Sequence, residues 1–262
     1  SWIPLDKLDW WNLSRNPSAT RILEQNLDKV YWKNLSKNLS AIHILEKNLD
    51  RVDWRNLSKN PSAIDILEQN LDKVNWWNLS RNPSAMHILE KNLDKVDWVE
   101  LSSNPSAMHI LEENLDKIVW SKLSYNPSAI HILEKNLEKV DWWNLSQNPK
   151  AIPILEKILD NGCGSPLNPY GAKVNWWILS KNPSAIHLLE ENIDNGSGAP
   201  LSPIGAKVDW SSLSENPSAI HILEKNLDKV CWYSLSKNPS IFEPDLQAWR
   251  ANIKNEVMKL NE

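Results

Sequence analysis

Several things are scarce in this chain at once. Two cysteines, Cys163 and Cys231, are too few for a disulfide framework, and no CxxC spacing offers a zinc or redox site. One Phe and four Tyr leave the aromatic load to 16 Trp, an imbalance that suggests a copied unit. All six glycines sit in two short windows, at 162, 164, 171, 196, 198 and 205. No stretch approaches the ~18 apolar residues that a membrane-crossing helix needs, so no membrane partner is expected. Neither charge is in surplus: 29 Lys and Arg against 33 Asp and Glu give a net charge of -4, too little field to hold a polyanion over the whole surface. These absences fit a soluble protein of a reducing compartment, expected in the cytoplasm. The chain opens at Ser1 without a Met or an apolar signal region, as a trimmed or processed chain would. Its N-x-S sequons read as products of repetition rather than as glycosylation sites.

What is present is a repeat, in a chain whose 41% hydrophobic content can build a continuous core. Trp recurs at 10, 32, 54, 76, 98, 120 and 142, then at 176, 210 and 232, giving ten copies at a period of 22 with two longer intervals. Each long interval adds 12 residues, and the segments 160–173 and 194–207 share the pattern DNGxGxPLxPxGAK. A fixed period of this length marks a solenoid.

Within the unit, Asp or Asn precedes the Trp in seven copies, as an N-cap before a short helix carrying Trp10 and Leu13 on its inner side. Asn16-Pro17 breaks that helix, and a second begins behind it. In copy two, 100° per residue gathers Ala41, Ile42, Ile44 and Leu45 in one arc, with His43, Glu46 and Lys47 opposite. Asn48 suits a left-handed helix stop. Helices this short do not persist alone, so stacking of Trp, Leu, Ala and Ile columns must stabilise them. A leucine-rich repeat is the competing architecture. It needs an apolar residue at position 11 of the unit, where this chain has Trp, Lys, Arg, Trp, Val, Ser, Trp, Trp, Ser and Tyr.

The expected fold is therefore an all-α solenoid of ten short helix-turn-helix repeats over 10–240. Residues 1–9 form an N-terminal half-unit, the inserted loops are 160–173 and 194–207, and a capping helix covers the end at 241–262. The W-x-x-L-S-x-N-P-x-A-I-x-I-L-E-x-N pattern, with the entry W-I-P-L-D-K-L-D-W at 2–10, resembles short-repeat proteins encoded in many copies by giant nucleocytoplasmic large DNA viruses. The resemblance covers residues 2 to about 240. It implies a helical repeat protein made in an infected host cell and carries no functional residue with it.

Catalytic chemistry finds little support, and neither cofactor nor metal is expected. The six His, at 43, 87, 109, 131, 187 and 221, form a column whose members stand too far apart to share one zinc ion, so a solvated helix face is expected. The Glu24 and Lys29 columns are expected to form salt bridges between repeats, because an array repeats one environment where catalysis needs a single tuned pocket. No GxxxxGK[ST], HExxH or GxSxG occurs, and Gly-x-Gly at 162–164 and 196–198 is too short for a phosphate cradle.

Binding is expected on the outer arc of the first helices, at positions 11, 12 and 15, where the copies differ. The candidate contact residues are Trp11, Lys33, Arg55, Trp77, Trp143, Trp177 and Tyr233, with Cys163 and Tyr170 in the first loop. The function expected is a non-catalytic scaffold for protein recognition, engaging a host or viral partner. The alternative is a nucleic-acid-binding array in which bases stack on these aromatics.

Overall fold

The computed structural model describes residues 4–160, 174–193 and 208–242. Among them the regular elements are helices alone, and the fold is an all-α solenoid of repeated helix pairs. The chain divides into two compact units, Ser1–Ile132 and Leu133–Glu262. The loop residues Cys163 and Tyr170, the rest of the two insertions and the expected capping helix lie outside the described residues.

Copy three shows the local logic. Asp53 sits in extended backbone and its Oδ1 accepts the Asn56 N–H at 2.8 Å, which starts the helix Trp54–Leu57. Asn60 then accepts the Ser62 N–H at 3.0 Å, and the second helix runs Ile64–Glu68. The residue before proline is extended as its steric clash demands: Asn16, ahead of Pro17, has φ -77° and ψ 117°. Tyr31, Val119 and Cys231 stand at the cap position without a capping side chain, yet keep the same extended backbone. Val119→Asp should therefore stabilise the N-terminal unit by about 1 kcal/mol, read as a rise in the urea midpoint at unchanged slope.

The end of the second helix differs from expectation. Asn114 has φ -132°, Asn136 φ -137° and Asn192 φ -108°, so these three members of the column do not enter the left-handed region. Its side chain does the work instead: Asn48 Nδ2 donates to the Ile44 carbonyl at 2.8 Å, and Asn70, Asn92 and Asn114 repeat the bond at 2.8 Å. A carbonyl left without an intrahelical partner is satisfied by the carboxamide four residues on.

The core consists of Leu35, Ala41, Ile44, Leu45 and Val52 and their counterparts, buried in the inner copies, while Leu13, Ile22 and Leu235 in the first and last copies are half-buried. Ala41 and its equivalents from Ala63 to Ala219 are fully buried; copy ten alone has a larger residue there, Ile241, which is exposed. The Trp column is not part of that core. Trp10, Trp54 and Trp76 are half-buried and Trp232 is 61% exposed. In the uninterrupted copies the half-buried ring is instead covered by the cation 19 residues later: Lys29 over Trp10 at 5.2 Å, Arg51 over Trp32 at 4.4 Å, Lys73 over Trp54 at 5.2 Å. The alkyl stem shields the ring while the charge stays in water.

Neighbouring repeats are also joined by buried polar side chains. Ser36 Oγ donates to the Trp32 carbonyl at 2.8 Å and accepts the Asp53 N–H of the next repeat at 3.0 Å. Asn60 Nδ2 donates back to the carbonyls of Ser36 and Asn38 at 3.2 and 3.3 Å. The insertions leave this ladder intact within the C-terminal unit. Asn182 Nδ2 reaches the Ser146 carbonyl at 3.1 Å, and Asp209 N–H donates to Ser180 Oγ at 3.1 Å. The repeats on either side of each insertion therefore stack directly.

Candidate recognition surface

On the first helices, core, turn and inter-repeat ladder take most positions, and positions 11 and 15 are left for the surface. Trp11 is 46% exposed, Trp77 38%, Trp143 48%, Trp177 45% and Tyr233 76%, while Lys33 and Arg55 are exposed cations at the same position. The structure therefore places these seven residues on the outer face of the first helices.

Adjacent members of the row are linked. Asn34 Nδ2 donates to the Trp11 carbonyl at 2.8 Å and Asn78 Nδ2 to the Arg55 carbonyl at 3.0 Å. Position 12 therefore faces the preceding repeat, with Asn34, Asn56 and Asn78 buried rather than on the outer arc. A helix inside a stack has a neighbour on each side, so the side opposite one neighbour is covered by the other.

Aromatics and cations interleave along the row. Arg15 lies 5.5 Å from the centroid of Trp11; Lys59 and Arg81 stand 5.2 and 5.4 Å from that of Trp77. In the C-terminal unit Trp143 and Trp177 pack with centroids 5.6 Å apart, and Lys181 covers Trp177 at 4.7 Å. Guanidinium over indole forms a rigid, amphipathic element suited to contact.

The two units differ in charge. In the N-terminal unit, Arg15, Lys33, Lys37, Arg55 and Lys59 have no carboxylate within ion-pair distance among the described residues, while Arg81 pairs with Glu100 at 3.3 Å. In the C-terminal unit Glu215 neutralises the row, pairing with Lys237 at 3.2 Å and Lys181 at 3.5 Å. The Lys237 ammonium, as hydrogen-bond donor, holds the Glu215 carboxyl below its ordinary 4.5, and Glu215 in turn raises Lys237. A lowered carboxyl contributes stability that is present above the unfolded value and lost as pH falls through the folded one. On acidification below about pH 4.5, the thermal midpoint of the native chain should therefore fall further than that of Glu215→Gln. Beside this pair, the Ser234 backbone N–H holds the Cys231 thiol below its ordinary value.

The second-helix face carries a different pattern. The Glu24 column pairs with the His column and a second Lys column rather than with the Lys29 column, whose members cap the Trp rings. Glu24 meets Lys47 at 3.1 Å and His43 at 3.8 Å; Glu68 meets Lys91 at 3.3 Å and His87 at 3.4 Å. The pairs His109–Glu90 and His187–Glu156 continue the series. Hydrogen bonds from the lysines lower the carboxyls of Glu24 and Glu68. Such exposed pairs are worth little individually. Among the described residues, no three metal-ligating side chains converge.

Two shallow cavities interrupt these faces. One, of about 360 Å³, is lined by Glu190, Ile193, Ile222, Lys225 and Asn226. The other, of about 260 Å³, lies between copies two and three and is lined by Lys37, Leu39, Asn56, Lys59, Asn60 and Pro61. Leu39 is 51% exposed and stands where every other copy has proline.

No helix among the described residues is long and apolar enough to cross a membrane. No family model matches the chain, and neither a curated protein nor a solved structure matches it. The fold and surface define a helical-repeat solenoid with a variable aromatic and cationic row.

Proposed function

We propose that this chain is a non-catalytic scaffold for protein recognition, binding its partner along the outer face of the first helices. With the viral resemblance of its repeat, the partner is a host or viral protein in the cytoplasm of an infected cell. The observation that carries this reading is the row of exposed Trp and Tyr rings with Arg and Lys against them, at positions whose side chains the core and the ladder do not use. Trp, Tyr and Arg are the side chains most often found as energetic anchors of interfaces. The ladder bonds behind the row hold it rigid, so little ordering entropy is spent on binding. The repeated environments, with their charged columns paired along the surface, support scaffolding over catalysis.

The unpaired cations of the N-terminal unit favour a second reading, nucleic acid stacked on the same rings. A pull-down from eukaryotic host lysate, with and without nuclease and analysed by mass spectrometry, separates the two. A nuclease-resistant protein, lost when Trp11, Trp77, Trp143 and Trp177 are changed to Ser, is the expected result. Signal lost on nuclease treatment would replace the protein reading with the nucleic-acid one.

A further inference from the structure

We infer that the cavity between copies two and three is the docking point for an acidic protein segment, which inserts one aliphatic side chain beside Leu39 and sets its carboxylates against the surrounding cations. The inference rests on the protein-recognition reading and names the chemistry of the partner.

Three features meet at this one place. First, copy two alone replaces the turn proline, so that an exposed Leu39 side chain lines the cavity together with Pro61. Its turn is unchanged, with the Ser40 N–H donating to Asn38 Oδ1 at 3.0 Å as in its neighbours, so the leucine does nothing for the turn that proline would not do. Second, Asn56 lines the cavity, and its carboxamide has no hydrogen-bond partner among the described residues. Its counterparts Asn34 and Asn78 each donate to the carbonyl of the preceding position 11. A carboxamide with no protein partner is open to a backbone carbonyl and N–H of an incoming chain. Third, Lys37 and Lys59 stand at the rim, and Arg15, Lys33 and Arg55 lie on the same face without carboxylate partners among the described residues.

Size and charge select the occupant. At about 260 Å³ the cavity falls below the ~300 Å³ at which small-molecule sites begin, and suits one side chain of a longer ligand. Five unpaired cations on a chain of net charge -4 form a local positive field, which attracts a segment rich in Asp and Glu. The unpaired carboxamide favours a polypeptide over a phosphodiester strand, because it can pair with a peptide group as both donor and acceptor.

The test is fluorescence anisotropy on the full chain with a labelled 12-residue peptide of Glu and Asp around a central Leu. Controls are the same peptide with Gln and Asn for the acids, the peptide with Ser for its Leu, and a 12-nucleotide oligouridylate. The acidic peptide should bind at least tenfold more tightly than either peptide control and the oligouridylate. Lys37→Glu with Lys59→Glu should weaken it at least tenfold, and Leu39→Pro or Asn56→Ala about fivefold, with helical circular dichroism unchanged. Leu39→Pro restores the residue of the other nine copies, so it isolates docking from folding. Equal binding of the acidic and amide peptides, indifference to Lys37→Glu with Lys59→Glu, or preference for the oligouridylate would each overturn the inference. If the acidic peptide fails while nuclease-resistant capture still depends on the four Trp residues, this inference falls and the recognition reading stands. Loss of both removes the two together.

Discussion

Asn82→Ala should lower the unfolding free energy of the N-terminal unit by about 3 kcal/mol, because it strips a buried carboxamide from both its neighbours. Asn82 is 1% exposed; its Nδ2 donates to the Ser58 and Asn60 carbonyls at 3.1 and 3.2 Å, and its Oδ1 accepts the Ser84 N–H at 3.1 Å. The Asn60 carbonyl keeps the Ala63 N–H at 3.1 Å, so the lasting losses are the Ser58 carbonyl and the Ser84 amide. Alanine also leaves a void where the amide was. Asn92→Ala is the control: Asn92 is half-buried and makes one bond, to the Ile88 carbonyl at 2.8 Å, so about 1 kcal/mol is expected. Urea unfolding followed by circular dichroism measures both. If Asn82→Ala cost no more than Asn92→Ala, the ladder would be a by-product of stacking rather than one of its causes.

Leu67→Ala tests the apolar half of the stack. Leu67 is fully buried on the second helix of copy three, in the column of Leu45 and Leu89. Removing a buried isobutyl group between stacked helices should cost about 3 to 4 kcal/mol. In a repeat array each unit is stabilised mainly by the ones beside it, so the damage should spread to neighbours and fade with distance along the chain. Hydrogen exchange should show the helices Ile42–Glu46 and Met86–Glu90 losing protection along with Ile64–Glu68, while Ile220–Glu224 keeps its own. Uniform loss over the chain would mean a single cooperative block instead of a stack.

Much of the fold is legible in the residues because each copy repeats the same local signals. The Trp period, the Asp or Asn cap, the break at Asn-Pro and the apolar arc of the second helix all lead to the elements found. The outer placement of position 11 is legible for the same reason: residues that change from Trp to Lys to Ser cannot share one buried role. Where the reading goes astray, the cause is a relation between repeats. A helical wheel on a four-residue helix has one inside, whereas a stacked helix has two, so Asn34 and Asn78 are buried against the preceding copy.

Columns of Glu, His, Lys and Trp can be read, but their pairing depends on how far one repeat turns on the next. That geometry sends Lys73 to Trp54, and His87 with Lys91 to Glu68. The Ser–Asn ladder did leave a signal: Ser14 and Asn16 have Ser and Asn counterparts in all ten copies, a constancy that an exposed turn does not need. Leu39 likewise stands out as the one missing proline, but the cavity beside it and the unpaired Asn56 become visible only in three dimensions.

The central claim is that a protein partner lies on the first-helix row and not on the second-helix face. A benzophenone photocrosslinker placed at Arg55, or separately at Asp65, puts one probe on each exposed face of the same repeat. In nuclease-treated host lysate, the full chain should give discrete protein adducts from position 55 and none from position 65. Adducts from position 65 alone, or equal labelling from both, would contradict the account.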